Sequence, residues 1–579
     1  MVCLIAVCSV ASGQELTTWG NDFWLAFLSN NIETDLDTYT IAVSGPRACS
    51  VVVENPNTGW SNTLTVAPNQ VTKYTLPREE CWQSGSYITT NKGLHITSTD
   101  EIQLLAFNKS QSAGAADATT VLPTRSLSTE YIVQTYPVNT HNPHSQCLVS
   151  VLATYDSTVV DIYPTAHYSQ GAGTGSDTHI TVTLNAGQVS QLKSSINDGT
   201  QDFSGTRISS QQCLPVAVFS GATLARIPIS AIANDHLFAQ NIPVSGWGSE
   251  WILTPAVGHE HDYARVTAST DNCIVYINGV QRAELNSGQT YEFDFTNATH
   301  LLTSKPAGVF QYLISRTVHE EGGDYGDCSM FAPNALTQQQ KAVNFGNFTV
   351  DSRSPSVSKY YVNIVVPNSE TDLLKLDNDA IRNFSTVGTT GYAYSRVAVT
   401  PGSHTLTTTG SGFVAHTYGL GENWESYIAT LGGIDTTVYI VGGDLTVIDT
   451  TVDDVLEWDG QILNTSGSYF FGDPCEGGTL LRLFIDCPPQ IWPPNVFTPG
   501  KETNNIFRIP SKNISQMTVD IYQRWGDKIY TFNGLTEGWD GTRNGLPCPQ
   551  ETYVYRITYR VIGSHETPNP IVGTVTLLR

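Results

Sequence analysis

The sequence predicts an all-β fold built of tandem β-sandwich-like subdomains, and three observations carry that expectation. Apolar residues recur at every second position between Gly, Pro, Asn and Asp punctuation, the pattern of short, half-buried antiparallel strands. No stretch of comparable length holds a helical period. The same order of strands and turns returns along the chain. The clearest copy runs from Pro243 to Arg316. It opens on Trp247-Gly248-Ser249-Glu250-Trp251 and Ile252-Leu253, then continues through Ala264–Ala268 and Cys273–Ile277. It turns at Gly288-Gln289 and closes on two runs, His300–Leu302 and Val309–Tyr312.

Looser copies lie on either side. Trp19-Gly20-Asn21-Asp22-Phe23-Trp24 repeats the opening, followed by Tyr39–Val43, Cys49–Val53 and Leu104–Phe107. A second copy has Glu130–Val133, Leu148–Leu152, Val159–Ile162, the Gly187-Gln188 turn and Val216–Phe219. A fourth has Tyr361–Val365, Leu373–Leu376, Pro401–His404 and Phe413–Tyr418. The spacing of roughly 100 to 115 residues is close to one β-sandwich domain. Residues 14–431 therefore read as about four diverged β subdomains, with convergence on generic strand patterning as the alternative.

At 579 residues there is room for several domains and ample core. Charge is sparse and acidic, 29 Lys and Arg against 53 Asp and Glu, for a net charge of −24. Such a surface repels nucleic acid and anionic lipid, so no nucleic-acid partner is expected. Val2–Val10 is a short apolar run, and Ala11-Ser12-Gly13 offers small residues for cleavage, so residues 1–13 read as an export leader, without the usual basic start. Neither this run nor any later one is long enough to span a bilayer as a helix.

Beyond the leader the cysteines are scattered and none forms a C-x-x-C pair, which fits single staples in an oxidising compartment and not a zinc site. Proximity suggests Cys49–Cys81, Cys147–Cys213, Cys273–Cys328 and Cys475–Cys487, with Cys548 left over.

The opening block, with Trp19, Gly20, Asp22, Phe23 and Trp24, resembles the start of the bacterial IgGFc-binding-protein N-terminal domain family. Further matching blocks follow in order: Pro215–Gly221, Asp235-His236-Leu237-Phe238, Trp247-Gly248, Gly326–Met330 and Gly419–Gly421. The resemblance covers residues 19–431. It implies a surface-exposed binding region; the antibody ligand in the family's name does not transfer with the fold.

Residues 432–487 change texture. Glu457-Trp458-Asp459-Gly460, a Ser-Gly-x-Tyr turn at Ser466–Tyr469, Cys475 and Leu480–Leu483 are similar to short repeats of large bacterial surface proteins. Residues 488–493, between two proline pairs, read as a stiff connector. Residues 494–579 then carry Phe497-Thr498-Pro499, Arg524-Trp525-Gly526, Trp539-Asp540-Gly541, Tyr553 with Tyr555, Gly573 and Arg579. These blocks resemble the gliding-motility-associated C-terminal domain. That resemblance implies an Ig-like sandwich acting as a type B signal for type IX secretion, and the secretion machinery as a partner. Relatives continue the Phe-Thr-Pro block with an acidic turn, whereas this chain has Gly500–Asn505. A Ca²⁺ ion there is unsupported, and no cofactor is expected.

Catalytic constellations are not singled out. His259-Glu260-His261-Asp262 is the densest set of candidate metal ligands, but it falls between strands, where a solvated loop is the default. Asp377-Asn378-Asp379 lacks EF-hand spacing and reads as a turn. No G-x-S-x-G follows a strand, and no carboxylate pair stands out. Trp19, Trp247, Trp525 and Trp539 fall in motifs and are expected in cores. The sequence thus predicts a secreted or cell-surface binding or adhesion protein, not an enzyme, with an extracellular protein or glycan as ligand. The competing readings are a secreted hydrolase with an unrecognised carboxylate pair and a passive surface coat.

Overall fold

A computed structural model describes residues 18–30, 37–110, 115–139, 144–195, 200–211, 213–259, 261–315, 326–347, 357–421, 426–433, 444–452, 456–458, 461–463, 467–473, 477–485, 490–501, 503–512, 514–561 and 568–579. The leader, Cys475 and Cys487 lie outside them. The described elements are almost entirely antiparallel strands, relieved by the four-residue helix Arg78–Cys81 and a few 3₁₀ turns. The chain divides into two compact units, one taking residues 14–444 and the other residues 445–472 and 478–579.

In the first unit the long strand Leu94–Ser110 organises the first strand set. Its early half pairs with Gly20–Leu25 and Cys49–Asn55, and its later half with Asp37–Ser44 and Ala115–Val121. The third set repeats this strand for strand. Thr299–Leu313 pairs first with Gly248–Leu253 and Cys273–Ile277, then with Asp262–Ala268 and Ser329–Phe331. Both opening strands carry a register shift at the same place, between Gly20 and Asp22 and between Gly248 and Glu250. The two runs expected to close the third copy, His300–Leu302 and Val309–Tyr312, are therefore one strand. Within one seven-stranded sheet it changes ladder partners near Pro306, a residue with no N–H to give to a ladder.

In the second and fourth sets the long strand is broken in two. Arg207–Ser210 and Val216–Ala225 lie in separate sheets, as do Gly402–Thr408 and Val414–Gly421. Alternation explains the burial. In Cys49–Asn55 every second residue is buried, whereas Cys147–Ala153 and Val216–Ala225, covered on both faces, are buried throughout.

Each set ends in a short, buried strand: Ala115–Val121, Asp235–Gln240, Ser329–Phe331 and Ser426–Thr430. Each forms its ladder with the closing strand of its own set. The four also pack on one another in a cycle. Side chains make the links between them. Asp117 accepts the backbone N–H of Phe238 (2.9 Å) and Met330 (3.2 Å) and the Ser329 hydroxyl. Asp235 accepts from Ala116 N–H at 2.8 Å, Thr119 Oγ1 from Gln240 N–H at 2.9 Å, and the Thr120 hydroxyl donates to Thr430 O at 2.7 Å. Backbone groups left over by the ladders are thereby satisfied in a buried place.

Three of the expected disulfide pairings are corrected. Cys49, Cys81, Cys147, Cys273 and Cys328 are buried thiols outside any disulfide, so the first three expected pairs are not formed; Cys548 is outside one as well, whereas Cys213 is disulfide-bonded. Closeness in sequence did not bring these sulfurs together. Cys273 and Cys328 sit in different cores, and three thiols donate to carbonyls instead: Cys147 to Tyr136 (3.1 Å), Cys273 to Lys305 (3.7 Å) and Cys328 to Ala225 (3.3 Å).

In the second unit, Asp444–Val452, Gly477–Ile485 and Gly467–Asp473 form a three-stranded sheet beside the hairpin Leu456–Trp458 and Gln461–Leu463. The C-terminal domain is a five-stranded sheet in the order Val496–Phe497, Ile571–Leu577, Thr552–Val561, Ile514–Tyr522, Lys528–Asn533. The first pair is parallel and the rest antiparallel. The stretch expected as a stiff connector is partly built into this domain, because Gln490–Ile491 pairs with Ser511–Lys512 and Trp492 N–H donates to Pro510 O at 2.9 Å.

Candidate functional site

The C-terminal motif residues separate into a buried lock and an exposed tip. Phe497 and Trp539 are fully buried with ring centres 5.3 Å apart, and Tyr553 meets Trp539 edge-on at 4.8 Å. The Trp539 indole N–H donates to Thr542 O at 2.8 Å, which satisfies its polar edge in the core. Asp540 ties the following turn by accepting Thr542 N–H (2.9 Å) and the Thr542 hydroxyl (2.8 Å). Gly541, at φ +80°, turns where a side chain would strike Leu577 and Pro499. Its carbonyl accepts from Arg579 Nη2 at 3.0 Å, and Arg579 Nη1 donates to Cys548 O. The Tyr555 ring lies against Gly573, where an added methyl would overlap it. Thr498 N–H donates to Asn504 O at 2.7 Å, and Asn504 Nδ2 returns to Val496 O at 2.9 Å, so Asn504 is tied back to the Val496–Thr498 segment.

Trp525 overturns its core expectation: it is 87% exposed. It sits in the turn Gln523–Gly526 between Ile514–Tyr522 and Lys528–Asn533, closed by Gly526 N–H to Gln523 O at 2.9 Å with Gly526 at φ +94°. A residue at the end of a hairpin lies beyond the sheet and has no core to enter. Arg524 lies 5.8 Å from its ring centre.

The N-terminal motif is mostly architectural. Trp19 is buried against the fourth set's core, and its carbonyl accepts from Arg125 Nη2 at 2.6 Å. Gly20 and Gly248 lie where a methyl would strike Pro123 and Ala335 respectively. Phe23 is buried, and Trp24 stacks on His95 at 4.3 Å. His95 bonds Asp22 at 3.1 Å, and this bond holds the Asp22 carboxyl below its ordinary value. Burial works against the His95 imidazolium, but bonds and charge from Asp22 and Glu54 outweigh it and raise the ring. Asp235 and His236 are fully buried. Burial drives the carboxyl well up and brings the imidazole down to about 3. Trp247 is only half-buried; its indole N–H donates to Ile242 O at 3.1 Å and its ring covers Gly308.

The expected solvated loop at His259 is corrected too. The His259 side chain is 1% exposed and meets buried Asp262 at 3.1 Å, a carboxylate that also accepts from Ala256 N–H and Gln311. Glu260 lies outside the described residues. Among those described, no three His, Cys, Asp or Glu side chains are placed to hold a metal ion. Asp377 and Asn378, at φ +52° and +73°, form a tight turn, and Asp377 bonds His404 at 2.7 Å.

These features define an all-β protein with a folded C-terminal module. The family comparison then places it. The IgGFc binding protein model matches residues 117–419, and the chain belongs to that family. The CHU_C type IX secretion signal domain matches residues 491–577, which makes this an exported protein of the outer surface. No helix among the described residues is long and apolar enough to cross a membrane. No curated protein matches the chain. Among solved structures, the BSP domain of a biofilm associated protein is 8% identical, with 82% of this chain and 78% of that one covered and a TM-score of 0.15. Alpha-2-macroglobulin of E. coli is 9% identical over 97% and 39%, with a TM-score of 0.14. The pilus adhesin SpaC of Lactobacillus rhamnosus GG is 10% identical over 75% and 51%, with a TM-score of 0.07. At these scores none bears on function.

Proposed function

We propose that this is a non-catalytic binding protein, delivered by its C-terminal domain through the type IX machinery to the outer surface. There the first unit presents a surface to an extracellular protein or glycan. The observation that supports this reading most is the joining of an IgGFc-binding-family region to a type IX secretion signal domain in one chain. The motif residues of the first unit are largely spent on bulges, cores and ion pairs, so its recognition surface is sought on the outward faces of the sheets.

The test is localisation of the chain with and without residues 494–579 in a type IX-secreting host. Retention of the truncated chain in the periplasm supports the reading. Arrival of the truncated chain at the surface sinks the sorting role. Turnover of a polysaccharide or protein by the purified chain, abolished by one Asp or Glu substitution, would replace the binder with a hydrolase.

A further inference from the structure

A cavity of about 360 Å³ opens on the outward face of the second strand set. Ladder register builds its wall. Tyr163 lies opposite Arg207, which lies opposite Ile132; one step along, Asp161 faces Ser209, which faces Glu130. Tyr131, Ile162 and Ile208 between them point into the core, so the alternate side chains share the open face. Ser269 and Thr270 of the third set form the far rim. Arg207 Nη2 spans toward that set by donating to Ser287 Oγ at 3.2 Å.

Three properties of this groove point to one ligand chemistry. Tyr163, 43% exposed, stacks on His179 with ring centres 4.6 Å apart and planes at 5°, which braces the ring as an aromatic platform. The platform is held in place: Asp161 bonds His179 at 2.9 Å and is itself fixed by Thr181 (2.6 Å) and Gln211 (2.8 Å), bonds that keep its carboxyl below the ordinary value. Beside it, the half-buried Glu130 and Ser209 make no side-chain hydrogen bond to another of the described residues. A flat apolar surface next to unspent acceptors and a guanidinium complements a sugar ring, which has a C–H face and a hydroxyl edge. With Glu130 and Asp161 against the single Arg207, the groove disfavours phosphate and uronate. Its volume falls in the range of small-ligand sites, roughly 300–1,000 Å³.

We propose that this groove is a binding site for a neutral saccharide, one pyranose stacking on Tyr163 while its hydroxyls bond Glu130, Ser209 and Arg207. The inference rests on the reading of the first unit as a binding region. The probes are the methyl glycosides of glucose, galactose, mannose and N-acetylglucosamine and their β-linked oligosaccharides, measured against the purified full chain by saturation-transfer NMR and titration.

At least one probe should bind. Tyr163→Ala should weaken that binding by about tenfold or more, and Glu130→Gln should also weaken it. Tyr155→Ala, at an exposed tyrosine outside the groove, should leave it unchanged, with the melting temperature of all three variants preserved. Absence of binding by every probe overturns the proposal, as does binding that survives Tyr163→Ala combined with Glu130→Gln, or binding of a polypeptide alone. The export reading fails separately: the purified chain can bind sugar whether or not truncation alters its localisation.

Discussion

Arg265 is the residue whose removal should most damage the first unit. It stands on the strand Asp262–Ala268 of the third set and reaches into the second. Its Nη2 meets Asp202 at 2.8 Å, Nη1 donates to Thr135 O at 2.5 Å and to Ser204 Oγ at 2.8 Å, and Nε lies 3.3 Å from Glu292. Two carboxylates share one guanidinium, and Asp202 takes the fork. Burial alone would raise the Asp202 carboxyl, yet Arg265 holds it below its ordinary value, while burial dominates at Glu292 and raises it. A pair of unit charges about 4 Å apart at an effective dielectric of about 20 interacts by about 4 kcal/mol. Stranding one member of a buried pair costs about 3–5 kcal/mol. Because the Asp202 side chain keeps 26% exposure, the lower end is expected, about 3 kcal/mol for Arg265→Met. The assay is urea unfolding of the full chain, followed through the transition of residues 14–444, with a midpoint shift on the order of 1 M. Adding Asp202→Leu should recover most of the loss, since the carboxylate that takes the fork is then gone and Glu292, 35% exposed, keeps access to water. A depressed carboxyl contributes stability that is present above its unfolded value and lost as pH falls through the folded one, so the deficit should shrink below about pH 4. A loss under about 1 kcal/mol for the single variant, or additive losses in the double, would refute this account of how the two sets are joined.

Other outcomes follow from burial. Trp539→Ala should cost the C-terminal domain about 3–5 kcal/mol, whereas Trp525→Ala, at an exposed turn, should leave its melting unchanged; equal effects would reverse the assignment of lock and tip. His236 and His416 are buried with imidazoles brought down to about 3, so their contribution is full above about pH 6.5 and lost as pH falls toward 3. At pH 5 each costs about 2 kcal/mol, and His416→Phe should flatten the acid side of the stability profile; an unchanged profile would show that this ring is not buried neutral. Asp117 and Asp235 are raised by burial and act in the opposite direction, so the histidine effect is read as a difference between variant and parent.

The class of fold was legible because period-two alternation and turn residues are local. The opening Trp-Gly block could be matched between Trp19 and Trp247 for the same reason, and the two do share one bulge. What local pattern could not supply was long-range pairing. Nothing at Pro306 in the sequence says that one strand runs on to a second pair of ladder partners. Nothing at Cys273 and Cys328 says that they belong to different cores. Trp525 was misread because motif membership was taken as evidence of burial, and a turn position obeys different rules. The Tyr163–His179 platform was missed because His179 precedes its strand and Asp161 looks like any outward carboxylate. The available signal was an aromatic at an outward strand position, two residues after an acid.

The residues that carry the family resemblance are, in this structure, largely residues that hold strand sets together. Gly20 and Gly248 let the opening strands bulge past Pro123 and Ala335, Asp22 fixes His95, and Asp235 ties two buried strands. The family match itself begins at Asp117, the carboxylate that accepts from two other sets, and extends to Gly419, where a methyl would meet Tyr427 and Val357. Such positions constrain how four strand sets meet, and a buried carboxylate satisfied by neighbouring N–H groups has little left for a partner. Ligand choice must then be set where side chains are exposed and their hydrogen-bonding capacity is unspent, as at Tyr163, Glu130 and Ser209. Two chains could therefore share every motif that defines this family and bind different molecules, because the substitutions that change the groove leave the buried wiring untouched.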